Sequence, residues 1–297
     1  MKTVLVAGRE GQVARALAEL ADERFRFVCL GRPDLDITDR ASVRRAIEAE
    51  RPDAIVNAAA YTAVDKAESE PELAYAANRD GPANLAEAAA DAGLPLVHLS
   101  TDYVFPGTSQ DPYRETDPTG PLGVYGRSKL AGEEAVAAAQ PAHAILRTAW
   151  VYGPHGANFL KTMLRLAKDR EEIGVVADQR GTPTYAPDIA EAITAVLAKA
   201  LAAPDDTNWR GTFHMVATGE TDWAGFATEI FRQSAAQGGP HARVRRITTA
   251  DYPTPAKRPA NSLLDTTRFR ETFGHVLPRW ESGVERCLVS LVAAGSK

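Results

Sequence analysis

The sequence predicts an α/β fold, a doubly wound parallel sheet with a smaller C-terminal lobe, and three observations predict it. Short apolar segments alternate with Ala-rich helical ones through the first half of the 297-residue chain. A glycine-containing turn directly follows the first of those segments. From about Gly211 that alternation gives way to Trp, Pro and turn residues.

Candidate strands are Thr3–Ala7, Phe25–Leu30, Ala54–Asn57, Leu94–Ser100 and Ala144–Thr148. Helical patterns separate them at Gln12–Leu20, Ser42–Glu50, Leu73–Ala92 and Tyr125–Ala139. Strands alternating with helices of this length imply βαβ units and a sheet covered on both faces. Near-continuous apolar runs such as Val4-Leu5-Val6 suit that burial. Further on, a helix is expected at about Asn158–Arg170, a strand at Ile173–Val176 and a sheet-packing helix at about Ile189–Leu201. Residues 1–150 are thus read as a dinucleotide-binding domain, with 185–203 packing back on it. Residues 151–184 and 204–297 are read as a second, substrate-binding lobe.

Composition narrows the function classes. The chain is 44% hydrophobic and 25% charged, with a formal net charge of −5. That balance lacks the clustered basic excess of a nucleic-acid binder. The run Arg243-Val244-Arg245-Arg246 reads as a solvated strand or loop edge. Cys29 and Cys287 sit in separate apolar runs, without metal or disulfide spacing. No apolar run approaches the ~20 residues that cross a bilayer. The N-terminal apolar stretch is too short for a signal peptide, so a cytoplasmic location is expected.

The first strand runs into Gly8-Arg9-Glu10-Gly11-Gln12-Val13-Ala14. Glycines let such a turn tighten and let backbone approach a pyrophosphate, while the next helix offers N–H groups and its dipole. Glycines at a strand–helix turn are often mere punctuation, but this turn opens a βαβ series. The second strand ends in Cys29-Leu30-Gly31-Arg32. An NAD-selective site usually carries an acid there. Arg32 and Arg9 suit a ribose 2′-phosphate instead, so NADPH is the expected cofactor and NADH the second candidate. Asp36 and Ile37 follow at a distance that would flank the adenine. Small residues at Ala58, Ala59 and Ala60, after the third strand, leave room for a dinucleotide.

Tyr125 and Lys129 stand four apart at the start of a helical stretch, so they share one helix face. The pair is expected to act as proton donor and tuning cation. Moving a tyrosine from about 10 towards 7 takes ~4 kcal/mol, and a nearby cation acts in that direction. Alone the pair carries little weight. It gains weight from Leu99-Ser100-Thr101-Asp102-Tyr103, a strand ending in hydroxyl residues one βα unit earlier. Ligands of open parallel sheets bind at carboxyl strand ends, which places Thr101 beside Tyr125; otherwise Thr101 only caps the strand.

In these segments the chain resembles the extended short-chain dehydrogenase/reductase superfamily. Within it, the chain is similar to the dTDP-4-dehydrorhamnose reductases over nearly its whole length. The more specific segments are Asn57–Glu68, Ser100–Gly107, Arg147–Tyr152, Asp178–Thr184 and Tyr252–Ser262. The resemblance implies a Rossmann-like fold and reduction of a 4-keto nucleotide sugar. It implies cofactor contacts from Gly8, Gly11, Gln12, Val13, Arg32, Asp36, Ile37, Ala59, Ala60, Tyr61, Thr62, Tyr125 and Lys129. It implies sugar-nucleotide contacts from Thr101, Asp102, Tyr103 and Trp150, with Arg258 and Asn261 as candidates on the second lobe.

Some members of the family bind magnesium through glutamates at a dimer interface. The corresponding positions here hold Ala16 and Pro187, leaving Glu281 alone, so no magnesium site is expected. The oligomeric state stays open between monomer and homodimer. A dehydratase of the superfamily needs a Glu after the Thr-Asp pair, where Tyr103 stands here. An epimerase, which retains its NAD, and a non-catalytic NADP-binding regulatory subunit are the remaining alternatives. No nucleic-acid or membrane partner is expected.

Overall fold

The computed structural model describes residues 1–20, 22–203 and 205–295. The first half runs β1 (Lys2–Ala7), α1 (Gln12–Glu19), β2 (Phe25–Leu30), α2 (Arg40–Glu50), β3 (Ala54–Asn57) and α3 (Val64–Ala67). It continues α4 (Pro71–Tyr75), α5 (Gly81–Asp91), β4 (Leu96–Thr101), α6 (Val124–Ala139) and β5 (His143–Thr148). The second half runs β6 (Val151–Tyr152), α7 (Phe159–Leu166), β7 (Glu172–Val176), β8 (Arg180–Gly181), β9 (Thr184–Tyr185) and α8 (Ala186–Ala202). It ends β10 (Gly211–His214), β11 (Thr221–Asp222), α9 (Trp223–Ala236), β12 (Arg243–Ile247), α10 (Thr267–Phe273) and α11 (Trp280–Gly295).

The main sheet has the order β10-β5-β4-β3-β1-β2, with every pair parallel. Alternation along each strand divides its side chains between two covers. Val4, Val6, Val56, Val97 and Leu146 pack with Leu17 of α1 and Ile189, Ile193 and Val196 of α8. Leu5, Ile55, Leu96 and Ile145 face Val43 of α2, Leu85 of α5 and Val136 of α6. The chain leaves β1 towards β2 on one side and returns as β3 on the other. That reversal opens a crevice at the carboxyl ends of β1 and β3.

A second core gathers Leu160, Met163, Ile173, Val175, Phe226, Ile230, Trp280 and Val284 from α7, β7, α9 and α11. β12, which carries the basic run, pairs with β7 and leaves Arg243, Arg245 and Arg246 exposed. Among the described residues, no helix is long and apolar enough to cross a membrane.

Two sequence expectations need correction. Residues 204–297 do not belong whole to the second lobe, because β10 forms an edge of the main sheet, paired with β5 from Gly211↔Ala144 to His214↔Arg147. Phe213 is fully buried there, but Gly211-Thr212-Phe213-His214 holds one apolar residue and so lacks the apolar run that marks the other strands. Residues 204, 296 and 297 of that range lie outside the described residues. The single helix expected at Leu73–Ala92 is three pieces, α4, a π-turn at Ala76–Asp80 and α5. Pro82 has no N–H to give the carbonyl four residues back, at Asn78, so the α-ladder breaks there.

Candidate active site at the carboxyl end of the sheet

The turn after β1 is built for close backbone approach. Gly8 has φ +110°, and a Cβ there would lie 2.8 Å from the Ala59 nitrogen. Gly11 caps α1 without any side-chain hydrogen bond, so the first N–H groups of the helix face the crevice uncapped. Ala14 is fully buried against the sheet, as a third small residue should be. Arg9 reaches the end of β2, donating to Asp34 at 2.8 Å and to the Arg32 carbonyl at 3.1 Å. Asp36 accepts two bonds from Thr38, chiefly the hydroxyl at 2.7 Å, which lower its carboxyl below the usual value. Ile37 is buried, and its carbonyl accepts from Asn84.

After β3, Asn57 is turned inward, donating to His98 at 3.0 Å and accepting from the Ala59 N–H. Ala60 and Thr62 are exposed on this rim. Tyr61 is held by Asn78, which accepts from its N–H at 2.8 Å and donates to its carbonyl at 3.0 Å. The same Asn78 amide donates to Ser128 on α6, at 3.0 Å. Gly132 makes the approach of α6 to this π-turn feasible, because a Cβ there would lie 2.0 Å from the Asn78 oxygen. The Tyr61 hydroxyl donates to Glu70, which pushes the phenol up to about 12.

Thr101, Tyr125 and Lys129 meet where β4 ends and α6 begins. The Thr101 hydroxyl is hydrogen-bonded to Tyr125 and donates to Asp102 at 2.9 Å. It also accepts the Tyr103 N–H at 3.2 Å, so it caps the strand end as well. The Tyr103 and Tyr125 rings pack edge to face at 5.5 Å. Lys129 is 2% exposed and donates to the Leu99 carbonyl at 2.7 Å. Burial pushes its ammonium down to about 8, so it remains mostly cationic at neutral pH.

The expected lowering of Tyr125 is corrected by this geometry. Burial pushes the phenol up to about 12, outweighing the Thr101 hydrogen bond that pulls it down. Lys129 donates one of its three N–H bonds to the Leu99 carbonyl. At neutral pH Tyr125 therefore stands protonated, the form a proton donor requires.

Under these groups lies a buried ion pair that the sequence reading missed. Arg147 of β5 grips Glu133 of α6 through Nε at 2.9 Å and Nη2 at 2.6 Å. Ser100, beside Thr101, donates to the same carboxylate at 2.5 Å. Both charged side chains are about 5% exposed. Only an i+4 offset from Lys129 hinted at Glu133; its partner is visible in the fold alone.

Asp102 is 2% exposed, and burial pushes its carboxyl up to about 6 against hydrogen bonds from Ser262 and Thr101. Its Oδ2 has no hydrogen-bond partner. A carboxyl with a raised folded pKa stabilises most below its ordinary 3.8 and loses that contribution as pH rises through about 6. Wild type is thus expected to lose roughly 3 kcal/mol relative to Asp102→Asn between pH 4 and 7. Paired denaturant titrations across that range check this; parallel stability curves would contradict it.

The second lobe brings Trp150 and Arg258 to the rim. Trp150 adopts φ +48°, unusual for a bulky residue, and stacks on Trp223 at 3.6 Å. Gly181 lies under its indole, where a Cβ would come within 2.4 Å. Arg258 pairs with Asp65 of α3 through two bonds, at 2.8 and 3.1 Å, and hydrogen-bonds Tyr103. Asn261 is not brought to the site. Its amide donates to the Ser109 and Asp111 carbonyls and accepts the Leu263 N–H, which leaves it a loop-bracing role. The neighbouring Ser262, which the sequence reading passed over, reaches Asp102 instead.

Of the positions weighed for a bridging metal, Ala16 is buried on α1 and Pro187 lies in the first turn of α8. Glu281 accepts from Arg279 at 2.6 Å. Among the described residues, no group of three or more His, Cys, Asp or Glu could hold a metal ion.

The family model described as RmlD substrate binding domain matches residues 1–293. A dTDP-4-dehydrorhamnose reductase of Sinorhizobium fredii (strain NBRC 101917 / NGR234) is 50% identical over 290 residues, 98% of each chain. The crystal structure of a dTDP-4-dehydrorhamnose reductase from Clostridium acetobutylicum superposes with a TM-score of 0.90 at 38% identity, covering 98% of this chain and 99% of that one. The corresponding structure from Bacillus anthracis, in complex with NADP, gives 0.89 at 38% identity, covering 97% and 99%.

Proposed function

The chain belongs to the RmlD substrate binding domain family, and on that premise we propose that it reduces the C4 keto group of dTDP-4-dehydro-L-rhamnose with NADPH. The product is dTDP-L-rhamnose. The observation that carries this reading is the Thr101–Tyr125 hydrogen bond with Lys129 anchored on Leu99 of the same strand, in the sheet whose β1 leads into the glycine turn.

The residues present suit a nicotinamide dinucleotide. Gly8 and the Ala58–Ala59 backbone form a cradle that any Cβ at position 8 would fill, and the uncapped start of α1 offers donors for a pyrophosphate. When bound, the reduced nicotinamide supplies the hydride. Arg9 and Arg32 stand at the end of β2 for a 2′-phosphate. Gly8→Ala is expected to weaken NADPH binding roughly tenfold or more, since a +110° φ strains any L residue. Fluorescence titration of NADPH measures it.

Tyr125, held protonated by its burial, delivers a proton to the carbonyl oxygen as the hydride arrives at carbon. Thr101 orients that oxygen by hydrogen bonding beside the phenol. Lys129, still mostly cationic, keeps a positive charge on the helix face that carries Tyr125, where the resulting phenolate forms. Asp102 and Tyr103 bound the sugar, and Trp150 offers its indole to the nucleotide side.

The test is NADPH oxidation by purified protein with the 4-keto sugar generated in situ from dTDP-glucose, repeated with NADH. Turnover with NADPH is expected. No turnover with either cofactor, at demonstrated NADPH binding, would favour the regulatory-subunit reading instead. Equal turnover with NADH would remove the role given to Arg9 and Arg32.

A further inference from the structure

The helix that carries Tyr125 and Lys129 begins without a cap of its own: Gly123 stands at its N-cap and has no side chain to offer. The missing acceptor comes from elsewhere in the chain. Glu68, just past α3, accepts the Val124 N–H on Oε1 at 2.7 Å. Gly123 is what admits it, because a Cβ on residue 123 would lie 2.6 Å from that same oxygen. Tyr125 is the next residue along, the second of the helix. A carboxylate at a helix N-terminus satisfies an orphan donor and complements the dipole.

We infer that Glu68, seated against Gly123, is a positioning residue that fixes the first turn of α6 and thereby aims the Tyr125 hydroxyl. Two separated sequence segments, the one ending at Glu68 and the one around Gly123–Tyr125, then carry a single contact. Asn78 grips Ser128 one turn later, so α6 is held at two successive turns and Tyr125 lies between them. Losing the first grip leaves Lys129, anchored on Leu99, in place while the phenol loses its aim. The bond Glu68 makes is to the backbone of α6, so its effect on Tyr125 passes through the helix.

The inference rests on the reductase reading for its activity readout, and the experiment separates the two. Glu68→Ala is expected to lower kcat about tenfold, a rise of about 1.4 kcal/mol in the barrier, with KM for NADPH within about twofold of wild type. The solvent deuterium isotope effect on kcat should rise, because proton delivery is the misaligned step. A merely unfolded fraction would lower kcat without moving that isotope effect. Glu68→Gln keeps an acceptor oxygen and should restore most of kcat. Gly123→Ala should reproduce the Ala variant, and the double variant should be no slower than either single one. Wild-type kcat in Glu68→Ala, an unchanged isotope effect, or additive losses in the double variant would overturn the inference. If wild-type protein does not turn over the sugar at all, the reductase reading fails, and hydrogen exchange decides separately. Residues 123–126 should then lose protection in Glu68→Ala and keep it in Glu68→Gln; equal protection in both would overturn the positioning role.

Discussion

Replacing Tyr125 with Phe is expected to lower kcat by roughly 10²–10⁴-fold, the usual contribution of a positioned proton donor. The fold and NADPH affinity should survive, because Phe keeps the ring that packs edge to face on Tyr103 and loses only the hydroxyl. The side chain is partly buried and the phenol protonated at neutral pH, so the hydroxyl is the part that does the chemistry. Steady-state kinetics alongside an NADPH titration measure both quantities. A kcat within about threefold of wild type would mean that another acid delivers the proton, and Asp102, with a carboxyl near 6, would be the next to examine.

The second large effect concerns stability. Arg147→Met should destabilise the protein by about 3–5 kcal/mol, since it leaves Glu133 buried with Ser100 as its remaining donor. For a chain of this size that corresponds to a fall in Tm of roughly 5–8 °C. The double variant Glu133→Leu/Arg147→Met should recover most of the loss, because replacing both members of a buried pair by apolar groups is often neutral. Thermal unfolding of the two variants checks it. Two equal losses would mean that the pair contributes more than its own mutual neutralisation.

Much of the nucleotide half was legible because its signals are local. The strands at Phe25–Leu30 and Ala54–Asn57 stand where the apolar runs end, and the glycine turn follows β1. Tyr125, Lys129 and Thr101 were legible because an i, i+4 offset and a strand end are both readable along one chain. What escaped depends on distant partners. Asn78 joins Tyr61 to Ser128, Glu133 meets Arg147, and Ser262 meets Asp102, none of which any local period announces. Asn261 and Ser262 are adjacent, and only the packing of their loop decides which one faces the site. The direction of the Tyr125 shift was misread for a related reason: the burial that raises it comes from packing, which a lysine four residues on does not reveal.

The return of the chain as α8 and then β10 has a consequence for dissection. The cover over Val4, Val6, Val56, Val97 and Leu146 arrives from residues after the first visit to the second lobe. A fragment ending near residue 150 would present that apolar sheet face to water and would lack the strand that flanks β5. A cut near residue 150 therefore does not fall between two self-contained cores, because the sheet's second cover and its β10 edge lie beyond it.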